Sequence, residues 1–253
     1  MRRKAVEGLC QAPSARHVRL LRALLSDADA EVRRLAVTAL GQLQEEGCIE
    51  ALVGALQDRD ASVVRAAVGA LRRTPNERVV VALAALLRHG DASVRVCAAQ
   101  TLESLNWQPT SRWEQIWMAV ARGQFSRAAS FGPEAVEALE GALHSAAYGA
   151  RVRAVEALGS IHHPRSRQVL LQALKSPDAA VAIAALDAIS NQGGADAVEA
   201  VVPMLRHANS GVRVAAIESL SRLGAESAVP LIQALLEDSN WDVRRAAAEA
   251  LGR

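Results

Sequence analysis

A period of about 31 residues runs through most of this 253-residue chain, and it restricts the possible folds more than any other feature of the sequence. An aliphatic residue marks each copy, at Leu9, Leu40, Leu71, Leu102, Leu158, Ile189, Leu220 and Leu251. Alanine stands four residues before every one of them. The copies are evenly spaced except between Leu102 and Leu158, where the separation is nearly twice the period. One repeat boundary therefore carries an insertion.

Each copy predicts two short amphipathic helices. In the second helix, apolar residues recur on one helical face. Asp or Asn precedes this helix in most copies, where its side chain can accept the free N–H groups of the first turn and contribute about 1 kcal/mol. In the first helix, leucines such as Leu52 and Leu56 form a second stripe. Two such helices cannot bury their apolar faces alone, so the copies are expected to stack.

The segments DAEVRRLAVTALG from Asp29 and NWDVRRAAAEALG from Asn240 resemble the short bacterial HEAT repeat, also called the phycobilisome-lyase HEAT-like repeat. This resemblance implies an all-α fold, a right-handed α-solenoid of about eight hairpins with an incomplete first repeat, in one domain over residues 1–253. It also implies that the second helices line the concave surface. It says little about function, because such repeats bind many unrelated partners.

Charge, hydropathy and cysteine usage exclude several classes. Lys+Arg 29 against Asp+Glu 27 leaves a net charge of +2, which gives no electrostatic case for nucleic acid. The longest apolar run, Val79–Leu87, is about half of a membrane span, and the basic N-terminus lacks the apolar region of a signal peptide. Cys10, Cys48 and Cys97 are isolated, which predicts reduced thiols in a cytoplasmic protein with no membrane contact.

Two positions of the second helix are expected to face solvent along the concave surface, and they form the candidate partner-binding face. The first position is occupied by Arg34, Arg65, Val96, Val152, Ile183 and Val214, and the second places Glu156, Asp187 and Glu218 beside the later aliphatic residues. Aligned aliphatic side chains along one groove indicate an interaction stripe. The alternative is that groove curvature or loops already cover them.

The additional residues lie at about 106–130 and contain Trp107, Trp113, Trp117 and Phe125. Because an element outside the regular stack must build its own core, and aromatic side chains bury the most area, we expect an inserted aromatic-rich helical hairpin. An aromatic binding site formed by the three tryptophans is the alternative.

Arginine recurs one residue after the first apolar position of the second helix, at Arg2, Arg33, Arg95, Arg151, Arg213 and Arg244. A phosphate-binding ladder is one interpretation of this row. The resemblance to HEAT repeats favours another, in which the arginines bridge to acidic loop residues of neighbouring repeats such as Asp27, Asp58 and Asp238.

No catalytic, metal-ligating or cofactor-binding set is predicted. None of the six histidines is followed by Glu, although the di-iron deoxyhypusine hydroxylases of HEAT type use His-Glu dipeptides, and the pair His162-His163 is typical of a solvated turn. The usual phosphate-loop and nucleophile motifs are missing from the sequence.

The sequence therefore predicts a non-enzymatic scaffold, without a cofactor, that binds another protein along its concave face. The repeat type also permits a phycobilin lyase subunit, which is the enzymatic alternative. A nucleic-acid-binding solenoid is a third possibility and rests on arginines in the first repeats, among them Arg34 and Arg65. The apolar stripes at both ends further predict end-to-end self-association or additional repeats in a parent chain.

Overall fold

The computed structural model describes residues 7–9, 14–43, 45–194 and 196–252. Within these ranges the chain forms helices joined by short turns and contains no β-strand, so the predicted all-α repeat fold is confirmed. The chain forms two compact units, Met1–Arg122 and Gly123–Arg253, where the sequence analysis expects one domain. Their boundary falls inside the predicted insertion. Most of the predicted incomplete first repeat, including Arg2, lies outside the described residues.

In the first unit, first and second helices of the repeats alternate along the chain. The helices are α1 (Val18–Leu24), α2 (Ala30–Leu43), α3 (Glu46–Ala55), α4 (Ala61–Leu71), α5 (Glu77–Ala85), α6 (Ala92–Ser104) and α7 (Arg112–Ala121). The second helices are α2, α4 and α6, and they pack against one another in that order.

The second unit follows the same scheme. Its helices are α8 (Phe125–Ala129), α9 (Val136–Ala142), α10 (Tyr148–Gly159), α11 (Pro164–Ala173), α12 (Ala179–Gln192), α13 (Ala197–Val201), α14 (Ser210–Arg222), α15 (Val229–Ala234) and α16 (Trp241–Leu251). The second helices are α10, α12, α14 and α16, and each packs against the next.

Small side chains allow the second helices to pack closely. The repeated alanine is fully buried in each described copy: Ala36, Ala67, Ala98, Ala154, Ala185, Ala216 and Ala247. Gly41 on α2 lies so near Ala70 on α4 that a Cβ added to the glycine would be 2.5 Å from the Ala70 Cβ. Gly159 on α10 approaches Ala188 on α12 in the same way, at 2.8 Å. Because carbon atoms pack at about 3.5–4.0 Å, these two helix spacings require glycine.

Side chains of the loops fix where each second helix begins. The predicted caps Asp29, Asp60, Asp91, Asp178, Asn209 and Asn240 accept backbone N–H groups of the first turn, whereas Ala147 caps α10 without a side-chain bond. A second acceptor, which the sequence analysis missed, stands two residues earlier and accepts the N–H of the cap residue. It is Asp27, Asp58, His89, Ser145, Ser176, His207 or Asp238.

The arginine row bridges repeats. Arg33 donates from Nε and Nη2 to Asp58, at 2.7 and 2.9 Å, and its Nη1 donates to backbone carbonyls of its own loop. Arg213 and Asp238 form the same bidentate pair at 2.9 and 2.7 Å. The hydrogen bond from Arg33 is the main reason that the pKa of Asp58 lies below its ordinary value. The bridging interpretation is thus confirmed for Asp58 and Asp238.

Where this arginine is missing, its acidic partner is missing too. His89 follows Val64 of α4, and His207 follows Ala182 of α12, at the same interval that separates Arg33 from Asp58. Val64 and Ala182 are fully buried, while the two histidines keep the role of loop acceptor through Nδ1. These two interfaces therefore avoid a buried charge that would have no partner.

Residues 106–130 differ from the predicted hairpin with a core of its own. Trp117 on α7 is buried in the first unit, where the guanidinium carbons of Arg88 and Arg95 each lie 6.0 Å from its ring centroid. Phe125 on α8 is buried in the second unit, with Arg153 at 5.3 Å from its ring. Since α7 packs on α6 and α8 packs on α9 and α10, the aromatic side chains extend the cores of the two existing stacks.

Candidate functional site

Three of the predicted aliphatic residues lie at the same level of three consecutive second helices in the second unit. They are Val152 on α10, Ile183 on α12 and Val214 on α14, and each is half-buried. Because α10 packs on α12 and α12 on α14, and packed helix axes lie about 8–10 Å apart, the three side chains recur at about this interval.

Residues with little or no side chain lie about one helical turn before each of these aliphatic residues. Gly149, Ala180 and Gly211 each precede one of them by three residues. A Cβ added to Gly211 would lie 3.6 Å from the Ile183 Cδ1, so Gly211 on α14 borders the aliphatic residue of α12. We call Gly149, Val152, Ala180, Ile183, Gly211 and Val214 the apolar strip. These small residues were not predicted from the sequence, although the repeats show them when they are compared at this position.

The corresponding positions of the first unit are polar except for Val96. Glu31, Ser62 and Ser93 occupy the place of the small residues. Arg34 pairs with Glu31 at 2.6 Å, and the Arg65 Nη1 donates to the Ser93 Oγ at 2.7 Å. The predicted Val96 is 38% exposed on α6. At two of these positions the first unit therefore presents arginines with hydrogen-bond partners, where the second unit presents aliphatic side chains.

Carboxylates follow the aliphatic residues of the strip by one helical turn. Asp187 accepts from Arg222, whose Nη1 and Nη2 both lie 3.4 Å from its Oδ1. Glu156 and Glu218 are exposed, and neither forms an ion pair with any residue that the structure describes. The strip is thus bordered on one side by negative charge.

The row of carboxylates leads to a cleft of about 730 Å³ among α14, α15 and α16. Glu218, Glu226 and Glu249 line it together with the buried Ile232. Glu249 also accepts from the Arg245 Nη1 at 2.9 Å. This cleft therefore combines an apolar wall with three carboxylates and with the guanidinium of Arg222, which also pairs with Asp187.

The predicted tryptophans of residues 106–130 differ in their exposure. Trp117 is buried with two arginines near its ring, Trp107 is half-buried and Trp113 is 42% exposed. Packing within the first unit accounts for Trp117. An aromatic binding surface made by all three is not favoured by this arrangement.

The remaining residues that could carry chemistry are histidines and cysteines, and several of those that the structure describes have structural roles or are buried. In the described part of the chain, no three His, Cys, Asp or Glu residues are grouped so that they could hold a metal ion. His163 caps α11, and its Nδ1 accepts the Arg165 N–H at 3.2 Å. Cys48 and Cys97 are free thiols whose pKa is raised by burial, while Cys10 lies outside the described residues. No helix within the described ranges has the length and apolarity needed to cross a bilayer.

Solved structures resemble this chain at low sequence identity. Human deoxyhypusine hydroxylase in complex with glycerol is 19% identical over 97% of this chain and 98% of that chain, with a TM-score of 0.40. An engineered protein is 22% identical over 98% and 80%, with a TM-score of 0.40. The complex of CpcE and CpcF of phycocyanin lyase from Nostoc sp. is 19% identical over 93% and 93%, with a TM-score of 0.33. These similarities concern the fold alone.

No curated protein matches the sequence significantly. The family model described as HEAT repeats matches residues 1–72, 133–211 and 198–253. These ranges cover more than half of the chain and include repeats on both sides of the insertion. The chain therefore belongs to the HEAT-repeat family.

Proposed function

We propose that this protein is a non-enzymatic scaffold that binds another protein along the second-helix face of its second unit. The observation that supports the proposal is the apolar strip. Its positions carry no polar side chain, although they lie on a surface bordered by Glu156 and Glu218. Contiguous exposed apolar surface with a polar rim is typical of protein interaction sites. The strip is also built on packed helices, which hold an interface more rigidly than loops do.

Replacement of Val152, Ile183 and Val214 together by serine tests this proposal. Because these side chains are only half-buried, the triple variant should keep its helicity and nearly its thermal midpoint while it loses the bound partner. Capture by the wild-type chain, by the triple variant and by Val81→Ser would be compared by affinity pull-down and mass spectrometry. Val81 on α5 is 64% exposed and serves as the matched control.

A partner that is retained by the control and lost by the triple variant would support the proposal. Equal capture by all three chains would place the interface elsewhere. Collapse of the thermal midpoint in the triple variant would show that the strip is core and not a binding surface.

A further inference from the structure

The spacing of the apolar strip fits a helix laid across it. Val152, Ile183 and Val214 recur at about 8–10 Å, and seven residues of an α-helix advance about 10.5 Å. Aliphatic residues at i, i+7 and i+14 of such a helix would therefore each meet one aliphatic residue of the strip. An extended chain covers this interval in about three residues, so that successive contacting side chains would point to opposite sides of the strand.

The small residues of the strip provide room for this helix. Gly211 is exposed, and its nearest neighbours are the Asn209 Oδ1 and the Ile183 Cδ1, at 3.1 and 3.6 Å from an added Cβ. A long side chain at this position would therefore extend over the strip. Glu31 occupies one of the three equivalent positions of the first unit and shows that the repeat accepts a long side chain there, while Ser62 and Ser93 occupy the other two.

The charges beside the strip favour a cationic occupant. Three arginines lie on or next to this face, and each already interacts within the unit: Arg153 with the Phe125 ring, Arg222 with Asp187, and Arg245 with Glu249. Glu156 and Glu218, in contrast, form no ion pair with the described residues. An external Lys or Arg is the complement that these two carboxylates lack, and Glu218 also lines the cleft at the end of the row.

We propose that the apolar strip binds a positively charged amphipathic α-helix of a partner protein. The helix carries aliphatic residues at heptad spacing, which pack on Val152, Ile183 and Val214, and Lys or Arg residues beside them, which pair with Glu156 and Glu218. This inference rests on the proposed function, because it names the class of partner for the same surface.

Synthetic peptides provide the probe. A fluorescently labelled peptide of about three heptads, with leucine at every seventh position and lysine flanking it, would be titrated with the full chain by fluorescence anisotropy at low salt. A second peptide has the same composition with the leucines scattered around the helix, and a third has glutamate in place of lysine. We expect the first peptide to bind at least about tenfold more tightly than either of the others.

Variants of the chain then locate the site. Glu218→Lys should weaken binding about three- to tenfold at low salt, and the loss should shrink near 1 M salt, where the Debye length is about 3 Å. Gly211→Glu, which introduces the side chain found at the equivalent Glu31, should weaken binding at least about tenfold, and circular dichroism checks that the helix is kept, because the added Cβ lies 3.1 Å from the Asn209 Oδ1 that caps α14. Glu199→Lys changes an exposed carboxylate on α13 and should leave binding unaltered.

The result that overturns the inference is equal or tighter binding of the glutamate peptide, or binding that Gly211→Glu and Glu218→Lys leave unchanged. The serine triple variant tests the proposed function separately. If no peptide binds but the triple variant still loses its natural partner, the cationic helix is wrong and the scaffold proposal stands. If the triple variant keeps that partner, both proposals fail.

Discussion

Replacement of Gly41 by alanine should destabilise the first unit, even though alanine is the better helix former by about 1 kcal/mol. The new Cβ would lie 2.5 Å from the Ala70 Cβ, whereas carbon atoms pack at about 3.5–4.0 Å. Helices α2 and α4 would therefore have to separate by about 1–1.5 Å at this point. Overpacking of this kind costs about 1–3 kcal/mol, which offsets the propensity gain and leaves a net loss of up to about 2 kcal/mol.

Gly69 provides the matched control, because it lies exposed on α4 and an added Cβ would meet nothing within 4 Å. Gly69→Ala should raise the free energy of unfolding by up to about 1 kcal/mol, so the two variants should differ by about 1–3 kcal/mol. Urea denaturation followed by circular dichroism measures the difference. Ala70→Gly in the Gly41→Ala background should relieve the contact, and a double-mutant cycle gives the coupling energy. Equal stabilisation by Gly41→Ala and Gly69→Ala would refute the helix spacing.

Three further predictions concern the interfaces between repeats. Ala182→Arg should destabilise the chain because it buries a guanidinium without a carboxylate. Adding His207→Asp should restore stability, because the new Arg and Asp would form a pair like that of Arg33 with Asp58. Urea denaturation of the wild type, the two single variants and the double variant measures this coupling. Ala216→Leu should lower the thermal midpoint, since the site is fully buried and overpacking costs about 1–3 kcal/mol; an unchanged midpoint would contradict the assigned register. The pKa of Asp58 is lowered in the folded chain, chiefly by Arg33, so its contribution to stability is present above the ordinary aspartate pKa of about 3.9 and is lost as the pH falls through the lower folded value. The difference in free energy of unfolding between the wild type and Asp58→Asn should thus be constant near neutral pH and shrink below about pH 4. A difference that stays the same at all pH values would disprove the role of the pair.

Features that repeat with the period of the chain could be predicted from the sequence. The buried alanine and the Asp and Asn caps follow from comparing one copy with the next, whereas the bridging role of the arginine row, which includes Arg33, is what the resemblance to HEAT repeats implies. The physical reason is that each repeat in a stack contacts chiefly its neighbours, so the same local requirement selects the same residue type in copy after copy. The aliphatic positions of the candidate face, such as Ile183, follow from the same comparison.

Only the tertiary structure decided what happens to residues that the period does not govern. The aromatic content of residues 106–130 suggested a separate core, yet Trp117 is buried in the first unit near Arg88 and Arg95, and Phe125 is buried in the second unit. The open surface beside Ile183 was also decided by the tertiary structure, because Gly211, which borders that side chain, lies on a different helix. Such contacts join residues far apart in sequence. They depend on how closely two helices approach in space, and a pattern of residue types does not specify that distance.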